Sequence, residues 1–295
     1  MKINKLASAI SRGKWLIEPS MASGLLPLAV KFLNGESMEF FEGNEAELPS
    51  MYAAGNYVSA SDDAFYENVQ SNSVLIIPIN GAIMKDDFCW EPGTDTMSEW
   101  LRCAMDNPNI VGVVLKINSG GGTVEGTGEF ADLIKSASKP VIAYTDGCMA
   151  SAAYWIGCSA KEVFASHKTV EIGSIGTAID MYDNREALAK MGYKRIYTNA
   201  DSSPDKNMDY FNALDGDPTG LKVSVLNPTN DIFMGAVKEN RDGKLKIITK
   251  ATEGKTINEP LTGKMYLAET AIEIGLIDKI GTLQDAVDRA LELAA

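Results

Sequence analysis

Two glycine-rich turns, each closing an apolar run, constrain this chain more than any other feature. Ile110-Val111-Gly112-Val113-Val114-Leu115-Lys116 leads into Ile117-Asn118-Ser119-Gly120-Gly121-Gly122. Pro140-Val141-Ile142-Ala143-Tyr144 leads, two residues on, into Gly147-Cys148-Met149-Ala150-Ser151-Ala152-Ala153-Tyr154-Trp155. Short apolar runs ended by turn residues predict buried strands. Both turns then lie at the carboxyl ends of parallel strands, the edge where open α/β sheets place ligands and chemistry.

The flanking sequence alternates in the same way. A strand over 73–81 is followed by a helix over 96–105, a strand over 110–117, a helix over 124–136, a strand over 141–144, a short helix over 150–157 and a strand over 162–165. Such alternation predicts βαβ units with right-handed crossovers, hence an α/β fold with a mainly parallel sheet and flanking helices. Further strands are expected over 175–180, 194–197 and 276–280, and helices over 184–191, 267–274 and 283–293. A long helix over 218–239 must break or kink at Pro228. Residues 1–70 have weak periodicity and an acidic stretch at 36–47, which predicts a partly irregular N-terminal arm with one helix over 22–33; residues 71–295 form the regular domain.

Composition narrows the class of partner. The 295 residues carry a net charge of −13 and no basic stripe, which argues against nucleic acid, whose binding draws on Lys and Arg neutralising phosphates. Four cysteines without a CxxC pair predict reduced, mostly buried thiols in a cytoplasm. Arg12, Lys14 and Glu18 interrupt the only stretch resembling a signal peptide, and no run approaches the roughly 18 apolar residues of a membrane span. A soluble, cytoplasmic protein without stable membrane insertion is the expectation.

The histidine count limits the mechanism. His167 is the only one, so a Ser-His-Asp arrangement must run through it, and its setting, Ala165-Ser166-His167-Lys168-Thr169, predicts a surface turn. A two-histidine metal site is excluded, and neither a metal nor a cofactor is expected. A serine without histidine needs another base, commonly a lysine whose pKa burial has lowered. Ser151, among small residues, suits a tight strand-to-helix turn, with the Ala152 N–H aimed where its hydroxyl projects; an ordinary helix N-cap is the alternative role. The N–H groups of the Gly120–Gly122 run can stabilise an oxyanion. A phosphate-binding loop fails because neither a Gly-Lys-Ser/Thr ending nor a GxGxxG pattern is present.

These residues resemble the signal peptide peptidase A and phage-head protease family of serine peptidases, with the Clp protease/crotonase-like fold of repeated ββα units. The resemblance rests on Ile77-Pro78-Ile79-Asn80-Gly81-Ala82-Ile83, the two turns above, Ile172-Gly173-Ser174-Ile175-Gly176, and the 263–281 segment with its Ala271-Ile272-Glu273-Ile274-Gly275-Leu276-Ile277-Asp278 core, and covers about residues 73–285. It implies Ser151 as nucleophile, Lys206 as general base with Lys194 as the competing position, and Ser174 as the hydroxyl that orients the lysine. Gly121 or Gly122 together with Ala152 would form the oxyanion hole. Gly120 stands where the family often has proline, and Lys264 where arginine is usual.

The implied activity is a Ser-Lys endopeptidase acting on polypeptides as a homo-oligomer. The Gly13-Lys14-Trp15-Leu16-Ile17 opening resembles prophage-encoded relatives, so phage capsid or scaffold proteins are the expected substrates and association with a phage procapsid follows. Removal of remnant signal peptides is an alternative. A crotonase-type acyl-CoA enzyme, with Glu125 as the nearest acid, and an inactive scaffold homologue remain as readings of other classes.

Overall fold

The computed structural model describes residues 15–17, 47–59, 66, 68–87, 91–181, 183–252 and 255–295. The helix expected over 22–33 lies outside them. The chain enters the sheet through β1 (Trp15–Ile17) and then a hairpin of β2 (Ser50–Ala53) and β3 (Asn56–Ser59). That hairpin falls inside the expected arm, yet it extends the sheet. Ala54 and Gly55 close it with φ of 48° and 85°, a two-residue turn whose paired positive φ values match strand twist. Alanine is not a residue that signals such a turn.

The apolar runs form β4 (Ser73–Ile83), β5 (Ile110–Thr123), β6 (Val141–Ala150) and β7 (Glu162–Ala165), all parallel. Between them run α1 (Thr94–Asp106), α2 (Thr127–Lys135) and α3 (Ala152–Cys158). β8 (Glu171–Gly173) also pairs parallel with β6. After α4 (Arg185–Lys190) and α5 (Met208–Leu214) comes a helical turn at Thr219–Leu221, a π turn at Lys222–Leu226 and α6 (Asn227–Asn240). The hairpin β9 (Ile248–Thr252) and β10 (Lys255–Glu259) stands apart from the main sheet. The chain closes with β11 (Met265–Leu267), α7 (Ala268–Glu273), β12 (Lys279–Ile280) and α8 (Leu283–Ala294). The backbone of the sheet runs β11-β8-β6-β5-β4-β2-β3, with β1 on β5 and β12 on β7.

Successive strand residues face opposite ways, and both faces are covered. Leu75, Ile77, Val113 and Leu115 pack with Met97 and Leu101 of α1, Phe130 of α2, Trp155 of α3 and Phe233 of α6. Val74, Ile76, Val114 and Ile142 pack instead with Ala286, Val287 and Ala290 of α8. Among the described residues no helix is long and apolar enough to cross a membrane.

Two expected strands do not form. Over 175–180 the chain leaves the sheet after Ser174, whose φ is 52°, and is tied to the α6 region, where Thr177 donates through N–H to Asn230 Oδ1 (3.1 Å) and through Oγ1 to the Leu226 carbonyl (3.0 Å). Over 194–197 the chain pairs locally with α5: Tyr197 meets Phe211 at 4.6 Å and Arg195 lies 4.1 Å over the Phe211 ring, while Ile196 stays exposed. The break at Pro228 takes the form of the π turn just before it. Proline then sits in the first turn of α6, where its missing N–H is tolerated.

One buried ion pair ties the carboxyl-terminal elements to the sheet. Arg241, 1% exposed, donates from Nε to the Gly275 carbonyl (2.9 Å) and from both terminal nitrogens to Asp278 (2.7 and 3.2 Å). Asp278 also accepts from the Val163 N–H of β7 (2.7 Å) and from Lys244 (2.6 Å). Burial on its own would raise the Asp278 carboxyl, but hydrogen bonds and charge from Arg241, with Lys244 and the Val163 amide, hold it below its ordinary value. A carboxyl more acidic folded than unfolded stabilises fully above its unfolded value, near about 4, and loses that contribution as pH falls through the folded one. Asp278→Asn, which leaves Arg241 buried without a counter-charge, is expected to lower unfolding free energy by about 3 kcal/mol at neutral pH in urea titrations. The gap between the two proteins should begin to narrow below about pH 4, where the unfolded carboxyl takes up a proton, and close as pH falls through the lowered folded value.

Candidate active site

β6 changes partners along its length, and the site forms where it does. Residues 142–145 pair with β7, but Cys148, Met149 and Ala150 pair with Glu171, Ile172 and Gly173 of β8. On the opposite edge β6 follows β5 only as far as Ser119, which faces Met149. Ser151 comes next, with φ 55° and ψ −119°. Its N–H donates to the Gly173 carbonyl (2.9 Å) and its own carbonyl accepts the Trp155 N–H (2.9 Å), which starts α3. A non-glycine residue in this region costs on the order of 1–3 kcal/mol and must be held by its surroundings.

The surroundings of α3 hold it. Every residue of the helix is buried, Trp155 stacks on Phe233 at 4.9 Å, and the Tyr154 hydroxyl donates to the Leu276 carbonyl (2.8 Å). Ala152 and Ala153 are wholly covered, so the turn has room only for small residues. Ser151 is 2% exposed and occupies the N-cap position, yet its hydroxyl makes no capping bond. The ordinary N-cap role therefore does not account for it. The Ala152 N–H, in the first turn, has no acceptor within its helix.

The glycine run completes the edge. A Cβ on Gly122 would lie 1.8 Å from the Ile83 carbonyl oxygen of β4, so only glycine fits there. Gly121 has φ 105°, and its N–H donates to Ser119 Oγ (3.1 Å), which in turn donates to the Gly81 carbonyl (2.6 Å). The Asn118 side chain accepts the Cys148 N–H (3.2 Å) and abuts Gly147, where a Cβ would come within 2.4 Å of its oxygen. Asn118 and Ser119 thus brace the two turns against each other and against β4. Sequence reasoning passed over both; an Asn-Ser pair entering a glycine run is the turn chemistry that signals them.

Ser174 follows Gly173, whose carbonyl holds Ser151. It is half-buried with φ 52°, and its N–H donates to the Lys264 carbonyl (2.8 Å). Lys264 itself pairs outward with Glu259 (3.2 Å). Ser151, Ala152, Gly121, Gly122 and Ser174 therefore gather at one edge of the sheet. Lys206 and Lys194 do not join them. Both are exposed, and neither ammonium makes a hydrogen bond or ion pair among the described residues. Lys206 is held through its carbonyl, which accepts from the Tyr197 hydroxyl (2.5 Å). The elements around it, α4, α5 and the π turn, bury no residue, while Met191, Tyr193, Ile196 and Val223 stand exposed.

Competing groups lie elsewhere. His167 is exposed and bonded to Thr169 Oγ1 (2.9 Å), in the surface turn expected for it. Glu125 is exposed on the turn after β5. Among the described residues no cluster of three His, Cys, Asp or Glu side chains could hold a metal ion. Of the described cysteines, only Cys158 meets the expectation of a buried thiol, and burial pushes its pKa up to about 12. Cys103 is exposed, Cys148 is half-buried, and Cys89 lies outside the described residues.

Comparison with known proteins bears on this edge. The family described as Peptidase family S49 matches residues 134–295. Protease 4 of Haemophilus influenzae is 26% identical over 246 residues, 81% of this chain and 37% of that protein. Capsid assembly protease C of Escherichia phage lambda is 23% identical, over 73% of this chain and 48% of the phage protein. The chain thus spans half or less of the length of these two relatives. Among solved structures, a ClpP1 mutant of Listeria monocytogenes aligns with a TM-score of 0.41 and 15% identity, covering 72% of this chain and 94% of that one.

The backbone strain at Ser151 gives a stability test independent of chemistry. Ser151→Gly relieves the positive φ and Ser151→Ala keeps it. After the unfolded-state entropy of glycine is subtracted, the glycine variant is expected to be the more stable by about 1 kcal/mol in thermal or urea unfolding.

Proposed function

The chain belongs to peptidase family S49, and on that premise we propose that it is a serine endopeptidase with Ser151 as nucleophile. The observation that carries this reading is the state of Ser151: buried, held at positive φ by the Gly173 carbonyl, free of a capping role, and next to a helix-start N–H. A serine kept in a strained turn with its hydroxyl unspent has the features of an activated nucleophile awaiting a base.

The Ser151 hydroxyl would attack a peptide carbonyl while a neutral lysine amine takes its proton. The N–H groups of Gly122 and Ala152 would receive the oxyanion. The Gly121 N–H, already bonded to Ser119, would shape the loop. Collapse of the tetrahedral intermediate expels the amine, which leaves with the proton held by the lysine, and water then releases the acyl group with the same lysine as base. Lys206 is the proposed base and Ser174 its orienting hydroxyl. An exposed ammonium stays protonated at neutral pH, so Lys206 must be desolvated to act. Docking of the exposed apolar residues around it, against the site of the same chain or of a second copy, would supply that burial. A homo-oligomer, in which the second copy supplies that surface, is part of the proposal. The likeness to the lambda capsid assembly protease supports phage capsid or scaffold proteins as substrates.

Ser151→Ala and Lys206→Ala are each expected to lower cleavage of an unfolded protein substrate by at least about 10³-fold, with folding intact by circular dichroism. Lys194→Ala should retain activity. A fluorophosphonate probe should label the native chain and not Ser151→Ala. Full activity in either alanine variant would sink the dyad. Mixing the two inactive variants tells where the base comes from: recovered activity means a second copy supplies it.

A further inference from the structure

We infer that Trp15–Ile17 occupy, within the same chain, the track that holds a peptide substrate beside Ser151, so that the N-terminal segment competes with substrate for the site. The inference rests on the serine peptidase reading above and adds an internal competitor to it.

The argument is one of strand edges. A strand has two edges to pair. At Gly121 and Gly122 one edge of β5 is taken by Ala82 and Ile83 of β4. The other belongs to β6 only up to Ser119, which faces Met149, because β6 ends at Ala150 and the chain turns at Ser151 into α3. This leaves a gap on the β6 side, next to Ser151, bounded by Gly121 and by Gly122, whose N–H is proposed to meet the oxyanion. β1 fills it. Trp15 faces Thr123, Leu16 faces Gly122 and Ile17 faces Gly121, all antiparallel.

Direction and chemistry agree with a substrate's place. Since β1 is antiparallel, the chain from Trp15 to Ile17 runs back along β5 from Thr123 toward Ser119, the residue level with Met149 and two short of Ser151 in the β6 turn. A peptide laid in this track would bring its acyl side toward the nucleophile in the same sense. Main-chain bonding to a strand edge accepts many sequences, and Gly121 and Gly122 add no side chain to discriminate among them. A tethered segment also competes at an effective concentration of order millimolar, well above that of a dilute substrate. The site is thereby closed to weak peptides until the segment is displaced.

The test uses the full chain. Consecutive strand N–H groups point to alternate edges, so Leu16→Pro with Ile17→Pro removes at least one donor that faces β5. In the Ser151→Ala background, which needs no chemistry, a fluorescent peptide with the sequence of residues 13–20 is titrated by anisotropy. Binding at least about tenfold tighter to the double-proline protein than to the protein with an intact segment is expected. Equal binding to both, or binding to neither, overturns the inference. The Ser151 probe reaction tests the peptidase reading separately: a protein that gains peptide affinity but never labels keeps the competitor and loses the nucleophile. If the double-proline protein fails to fold, hydrogen exchange on the Ser151→Ala protein decides. Excess peptide should deprotect the amides of residues 15–17, and their unchanged protection under saturating peptide would overturn the proposal.

Discussion

The hydrogen bond from the Ser151 N–H to the Gly173 carbonyl is the constraint on which the site depends. It closes the stretch over which β6, having left β7, pairs with β8 in the same sheet, and it holds the serine in a backbone state its side chain disfavours. The strain, on the order of 1–3 kcal/mol, is offset just beyond it. Tyr154, Trp155 and Ile156 are buried against the sheet and α6, and each large apolar side chain fully buried contributes roughly 1.5–3 kcal/mol. The helix after the turn therefore stabilises more than the turn costs. The proposed chemistry is concentrated in the turn and stability in the helix that follows.

The elements legible in the sequence are those whose signal is local. β4, β5 and β6 each contain an apolar run near their start, and β7 has the bounds expected, because its neighbours on both sides are themselves strands or helices of unambiguous period. The serine turn and the glycine run are legible for the same reason: their residue types admit few backbone shapes. The misread segments have an ambiguous period and are decided by tertiary partners. Residues 175–180 carry β-forming side chains but are tied by Asn230 and Leu226. Residues 194–197 find their aromatic partner in Phe211 rather than a neighbouring strand.

The site shows the same division. The proposed nucleophile and amide donors belong to two continuous stretches of chain, so they are legible in the sequence alone. Ser119 was harder, since its role lies in a bond to Gly81, 38 residues away. The base is harder still. A lysine is defined as a base only by what covers it, and the segment around Lys206 covers nothing within one chain. The family match beginning at residue 134 includes the serine and this lysine but starts after the glycine run. Asn118, through its bond to the Cys148 amide, is the side chain that joins the two parts.

The contacts made by residues 275–278 reach further than their distance from the site suggests. Tyr154 of the serine helix hangs from the Leu276 carbonyl, while Arg241 grips Gly275 and Asp278, and Asp278 in turn holds the amide of β7. Helix, sheet and carboxyl-terminal turn are thus held together as one unit, and the Ser151 turn has no stability of its own to fall back on. A chain cut short before residue 275 would still spell out the serine turn in its sequence and would lose the frame that holds it in space.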